Sequence, residues 1–344
     1  MTDTARAVRG PLMIDIAGTS LSAQEAAWLA DERVGGLILF SRNFQSKSQV
    51  ADLIATIREA SPDPLLIAVD HEGGRVQRFR DGFSSIPPMR VFGERYDQDI
   101  ESAVTLALET GSLIAAELAE VGVDFSFTPV VDIDTGHSGV IGDRAFHFDP
   151  AIVATLADAL MQGLHAAGMP AVAKHFPGHG FVAADSHLEL PVDERSLDEI
   201  RATDLQPFRR LSDAGVEGVM PAHVLYPQVA PEPAGFSPFW IQQILRGELN
   251  YDGAVFSDDL SMAGAVSAGT PLQRADAALK AGCDMLLVCN DPAAVAAILG
   301  GLSVQPCDDR NRRLSRLLRR DTSDTRLCRD QAIAAASTLM AALA

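Results

Sequence analysis

A chain of 344 residues can bury a large core, as one big α/β domain or as two smaller ones. Hydrophobic residues make up 47% and charged residues 22%, the balance of an ordinary globular protein rather than a disordered one. Lys+Arg 28 against Asp+Glu 46 leaves a formal net charge of −18, which repels phosphate backbones and anionic lipid surfaces and argues against nucleic acid or membrane as a partner.

Short apolar runs alternate with helical patterns along the chain. The N-terminal run from Pro11 to Ile16 is short and broken by Asp15, which is not the profile of a secretion signal. No apolar run is read as reaching the ~20 residues that cross a bilayer. Strands are expected at 12–16, 36–40, 65–70, 124–131, 171–175, 218–223, 254–258 and 285–289. Several are continuously hydrophobic, as parallel strands buried on both faces are. Helical patterns fill the gaps at 23–32, 49–60, 101–121, 152–167, 197–214 and 275–281, and Ser196 with Glu199 three residues on reads as a capping box. Eight strands, each followed by a helix or long loop, suit an α/β (β/α)8 TIM barrel better than an open doubly wound sheet. Asp70, Asp132, Lys174, His175, His223, Asp258 and Asn290 all fall at or just past predicted strand ends, the face on which such barrels place their active sites. The expectation is one domain over 1–344, with the barrel at about 11–300 and a helical tail at about 308–344 packed outside it.

The four cysteines, Cys283, Cys289, Cys307 and Cys328, make neither a zinc framework nor a disulfide scaffold, so a reduced, cytoplasmic setting is expected. The segment Lys174-His175-Phe176-Pro177-Gly178-His179-Gly180, with Asp185-Ser186-His187 after it, stands out chemically. Imidazole gives and takes protons near neutrality, and the Gly and Pro residues shape a loop rather than a helix. It reads as a proton-transfer loop. The arginines from Arg310 to Arg320 read as a solvated helix face paired with nearby acids rather than as an anion site.

That loop, together with Ala68-Val69-Asp70-His71-Glu72-Gly73-Gly74-Arg75-Val76-Gln77-Arg78 and Phe256-Ser257-Asp258-Asp259-Leu260-Ser261-Met262, resembles glycoside hydrolase family 3. The likeness is greatest to its single-domain bacterial β-N-acetylglucosaminidases of peptidoglycan recycling, and it runs from about Pro11 to about Asn290. The resemblance implies Asp258 as nucleophile, with Asp259 the competing carboxylate, and a covalent glycosyl-enzyme. It implies His187 as general acid/base oriented by Asp185. It also implies sugar binding by Asp70, Arg78, Arg144, Lys174 and His175. Arg144 is read either as a clamp on a hydroxyl or as the partner of a nearby carboxylate, and His179 as a hydrogen-bonder that shapes the loop. Between Gly180 and His187 the sequence offers no strong anchor, so the loop is expected to close over substrate.

No cofactor is expected, and the partner is a small carbohydrate, a muropeptide fragment, bound by a monomer or weak homodimer. Three rival readings stand beside this one. His175, His179, Asp185 and His187 include metal-ligand types, although Pro177 and Gly178 break the helix that their spacing would suit. A neutral imidazole acid/base would tolerate phosphate as acceptor, which allows a phosphorylase, and a β-glucosidase would use the same site. A barrel that only binds sugar is the non-catalytic alternative.

Overall fold

The computed structural model describes residues 8, 10–183, 186 and 190–320. The parallel strands are β1 (Leu12–Ile14), β2 (Val34–Leu39) and β3 (Leu66–Val69), after which a short antiparallel hairpin of β4 (His71–Gly73) and β5 (Val76–Gln77) intervenes. They continue with β6 (Phe125–Ser126), β7 (Val172–Phe176), β8 (Gly218–Pro221), β9 (Ala254–Val255) and β10 (Leu286–Val288). Ladders join them in the order β10-β1-β2-β3-β6 and β7-β8-β9. The parallel bridges Val130 to Lys174 and Phe256 to Met285 link the two arcs, so the eight strands form a ring. This is the expected TIM barrel, with every expected strand present and most of them shorter than the apolar runs that announced them.

The parallel strands are buried along their whole length, as in β2, where all six residues are buried. The interior is packed rather than hollow. Phe125, Phe127 and Phe256 meet with ring centroids 5.2 to 5.6 Å apart and form a floor beneath the C-terminal mouth. Such aromatic pairs contribute about 0.5–1.5 kcal/mol each beyond their buried area.

The outer layer begins with α1 (Ala23–Leu29), α2 (Lys47–Ala60), α3 (Arg90–Tyr96), α4 (Ile100–Glu120) and α5 (Pro150–Ala166). It continues with α6 (Leu197–Ala202), α7 (Leu205–Asp213), a π-helical segment Phe239–Glu248, α8 (Pro271–Ala281), α9 (Pro292–Gly301) and α10 (Asp308–Ser315). Three starts share one local signal. Asp149, Thr270 and Asp291 cap a backbone N–H with their side chains, and the proline after each occupies the first turn, where no donor is needed. Ser196 and Glu199 do form the capping box.

The expected helix 197–214 is two helices. At the break, Asp204 turns its carboxylate to Arg195 and to the Thr203 hydroxyl. By length and composition α4 passes as a bilayer-crossing helix, which corrects the sequence reading, but its apolar face packs inside this fold, chiefly on α5. Arg312 pairs with Asp252 and Arg313 with Asp284 as expected, whereas Arg310 is buried and donates to the Gln305 carbonyl. Cys283, Cys289 and Cys307 are free thiols. Cys328 and the rest of the tail lie outside the described residues.

Candidate active site

At the C-terminal mouth the strand ends surround a cavity of about 600 Å³. Asp70, Arg78, Arg144, Lys174, His175 and Asp258, six of the eight residues singled out from sequence, line it together. Asn290 lines it as well. Asp132 and His223, also at strand ends, do not reach it and sit behind its wall with no exposure. Asp185 and His187 lie outside the described residues. A larger cavity, about 1160 Å³, opens at the other mouth around Gly10, Arg33, Asp63 and Arg310. Size does not decide between them: in this fold chemistry belongs to the C-terminal mouth, where the side chains leaving the strand ends converge.

The cavity base is an ionic network. Lys174 Nζ lies 2.8 Å from Asp70 Oδ1 and 2.6 Å from Glu72 Oε1. Glu72 also takes both arms of Arg144, Nε at 2.8 Å and Nη2 at 2.9 Å. Arg78 reaches the other oxygen of Asp70 at 3.4 Å. Burial alone would raise the Asp70 carboxyl, but Lys174 and Arg78 hold it below its ordinary range. Burial opposes ionisation of Glu72 too, and Arg144 and Lys174 overcome it by a wide margin. Of the two roles open to Arg144 from sequence, the carboxylate partnership is the one formed, while the side chain still borders the cavity. Glu72 was not singled out from the sequence. Its signal was there: it follows Asp70 by two residues, and in extended backbone such side chains share a face. His71 between them takes the opposite face, fully buried against Phe79 and Phe83. Burial, with Arg80 and Lys47 nearby, pushes its ring down to about 3, so it stays neutral.

Lys174 and His175 are consecutive yet both border the cavity, where the β7–β8 register shifts between Lys174 and Phe176. Behind them Asp132 accepts His175 Nδ1 at 2.7 Å and the His179 amide at 2.7 Å. The Tyr226 hydroxyl donates to the Gly178 carbonyl at 2.6 Å and Thr135 Oγ1 to that of Gly180 at 2.6 Å. A β-carbon at Gly180 would collide with the Ile133 carbonyl, so the loop passes here only as glycine. Further along, Ser186 is buried, its hydroxyl 3.2 Å from His179 Nε2 and its carbonyl taking the Gly264 amide at 3.0 Å. The loop between Gly180 and His187 therefore has an anchor, contrary to the sequence reading. The partner at Gly264 comes from beyond β9 and is invisible locally. His179 is the structural hydrogen-bonder the sequence suggested.

Asp258 follows the strand end after β9, half-buried, with its Oδ1 taking the Asp259 amide at 2.8 Å. The Asp259 carboxylate is held by the Ser261 amide and hydroxyl, at 2.9 and 2.7 Å, and by the Cys289 amide at 3.0 Å. Burial pushes Asp259 up to about 6 despite those bonds, with the Asp258 charge adding to the rise. His223 supports this corner from behind, its Nε2 3.1 Å from the Asp259 carbonyl and its ring stacked on Phe236.

A strand-end carboxylate facing a cavity floored by acids and cations suits attack on a sugar, and the sequence comparisons agree. The glycosyl hydrolase family 3 N-terminal domain matches residues 8–317. The chain belongs to glycosyl hydrolase family 3. As a member it is a glycosidase. The Beta-hexosaminidase of Bordetella avium is 57% identical over 307 residues, 89% of this chain and 88% of that protein. The Beta-hexosaminidase of Chromobacterium violaceum is 55% identical over 309 residues, 90% and 87% of the two chains. NagZ from Neisseria gonorrhoeae, solved in complex with N-trifluoroacetyl-D-glucosamine, is 46% identical with a TM-score of 0.92, covering 98% of this chain and 99% of that one. A NagZ structure from the same organism in complex with a zinc ion has 44% identity and a TM-score of 0.91, with the same coverage.

Proposed function

We propose that this family 3 glycosidase is a retaining exo-β-N-acetylglucosaminidase of peptidoglycan recycling. It removes the terminal non-reducing N-acetylglucosamine from fragments in which that sugar is joined to anhydro-N-acetylmuramic acid, with or without peptide. The β-N-acetylglucosaminidase activity rests on relatives more than 50% identical over most of both chains. The observation that carries the chemistry is the placement of Asp258 at the mouth of the cavity whose base holds Asp70, Lys174 and His175.

In this reading the Asp258 carboxylate attacks the anomeric carbon while His187, oriented by Asp185, protonates the departing oxygen. His187 then takes a proton from water, whose oxygen displaces Asp258 from the sugar. Asp70, Arg78, Arg144, Lys174 and His175 hold the sugar hydroxyls. Glu72 is the one glutamate among the described residues lining the cavity, and its two cations keep it ionised. A glutamate fixed in that state does not deliver a proton, which supports assigning the task to an imidazole. The enzyme acts in the cytoplasm, as a monomer or weak homodimer, away from membranes and nucleic acid, and so bears on cell-wall turnover, cell shape, the cell cycle and division.

The test is hydrolysis of paired chromogenic N-acetyl-β-glucosaminide and β-glucoside, with the anomer first released followed by NMR. The N-acetylglucosaminide is the one cleaved, and the β anomer appears first; an α anomer first ends the covalent route. Asp258→Ala loses more than about 10³-fold in kcat, the scale of removing a group essential to the chemical step. Activity persists in excess chelator, and no sugar 1-phosphate forms in phosphate buffer. One observation favours a second reading of the acid: Asp259, pushed up to about 6, is a carboxyl at the same mouth. Asp259→Asn separates the two. It keeps the wild-type dependence on leaving-group acidity if His187 is the acid and becomes far more steeply dependent on it if Asp259 is.

A further inference from the structure

Asp132 has no exposure to solvent and does not border the cavity, yet three donors of the candidate site converge on it. Its Oδ2 faces His175 Nδ1 at 2.7 Å, and its Oδ1 takes the amides of His179 at 2.7 Å and of His175 at 3.3 Å. A carboxylate can only accept. Burial works against its charge, but His175 and His179 more than offset that, and the group stays below its ordinary range. The hydrogen of the short His175 contact therefore sits on Nδ1. In a neutral imidazole the other nitrogen is then an acceptor. With Nδ1 turned to the buried aspartate, the Nε2 edge is the part of the ring that borders the cavity.

We propose that Asp132 is a positioning residue for sugar binding, fixing the orientation and tautomer of His175 so that Nε2 accepts a hydrogen bond from a substrate hydroxyl. This rests on reading the cavity as the sugar site. The chemistry of the base makes an added acceptor useful. Lys174, Arg144 and Arg78 only donate, and both oxygens of Asp70 already receive cations. A sugar hydroxyl that accepts from one of these cations still has a hydrogen to place, and His175 Nε2 receives it.

The test combines a spectrum with a mutant cycle. In protein labelled with 15N-histidine, with the His175 signals assigned by their loss in His175→Ala, the wild-type ring is protonated on Nδ1. In Asp132→Asn the carboxamide presents a donor to Nδ1, and the proton moves to Nε2. On whichever aryl glycoside the wild type cleaves, Asp132→Asn lowers kcat/KM about tenfold or more, whereas in a His175→Ala background it costs less than about twofold. A wild-type ring protonated on Nε2, whether alone or together with Nδ1, overturns the proposal. So does an equal loss in both backgrounds, which would mean that Asp132 acts through the His179 amide and the loop. If Asp132→Asn does not fold, the wild-type ring spectrum decides alone. Cleavage of a glucoside in place of an N-acetylglucosaminide defeats the functional reading but leaves both measurements intact.

Discussion

At the scale of single residues, Glu72 matters through the charges it keeps in place. Arg144 holds it with two hydrogen bonds and Lys174 adds a third contact, all with almost no exposure. Glu72→Gln keeps the shape and removes the charge, leaving the half-buried Arg144 without its carboxylate while Lys174 keeps Asp70, a change that costs about 3 kcal/mol, the low end for breaking a buried pair. The sign of its pH dependence follows from linkage. The folded Glu72 lies far below its ordinary 4.5, so the stabilisation is complete above that value and shrinks as pH falls beneath it. Urea unfolding of wild type and Glu72→Gln at pH 7 and pH 3 should show a wide gap that narrows in acid; a gap of the same width at both would mean that packing, not charge, is lost. The site was legible where a residue's chemistry and its strand-end position coincide, as at Asp70, Lys174 and Asp258. At Asp132 the strand-end position was legible but not the role, and at Glu72 the two-residue spacing from Asp70 was a signal left unused; both roles lie in partners more than forty residues away in sequence.

At the scale of elements, the seam between α4 and α5 depends on two glycines. A β-carbon at Gly111 in α4 would strike the Leu160 carbonyl in α5, and one at Gly163 would strike that of Leu108. The Ser112 hydroxyl donates to the Gly163 carbonyl across the same seam at 3.1 Å. Gly111→Ala gains about 1 kcal/mol in helix propensity. Forcing the two backbones apart costs about 1–3 kcal/mol, so the net effect is a loss. Thermal unfolding should show a lowered Tm with kcat/KM unchanged, since the seam lies away from the cavity; a stabilised variant would show that the helices yield freely. Gly180→Ala separates the other way: its clash is at the foot of the loop, so kcat falls severalfold while most of the stability remains. The barrel itself was readable because several of the eight runs are apolar without interruption, as buried parallel strands are, and because reactive polar residues gather at the C-terminal ends of the runs. The split between α6 and α7 did leave a local mark, Pro207 in the first turn of α7, which the periodicity over 197–214 hid; Asp204 at the break also takes Arg195. Helix α9 was passed over although Asp291-Pro292 carries the same start signal as Asp149-Pro150. Its interior is apolar all round rather than striped, which removes the periodicity a helix is usually recognised by.

At the scale of the whole molecule, two electrostatic effects would compete over the peptide-bearing substrate proposed above. The formal net charge of −18 repels a peptide-bearing fragment from a distance. Near the cavity Arg75, Arg78 and Arg144 are positive, but each already faces a carboxylate: Asp143, Asp70 and Glu72 respectively. Paired charges present little field beyond a few ångströms, whereas an uncompensated net charge acts out to the Debye length, about 30 Å at 0.01 M salt and about 8 Å at 0.15 M. The long-range term therefore dominates at low salt. For a substrate carrying an acidic peptide, kcat/KM should rise severalfold between those two ionic strengths, while that for the same disaccharide without peptide stays flat. Initial-rate measurements on the two substrates in parallel remove any effect of salt on the enzyme itself. A fall for the acidic substrate would mean that the arginines at the mouth prevail over the body of the protein, and that the cavity is tuned to attract anionic fragments rather than merely to admit them.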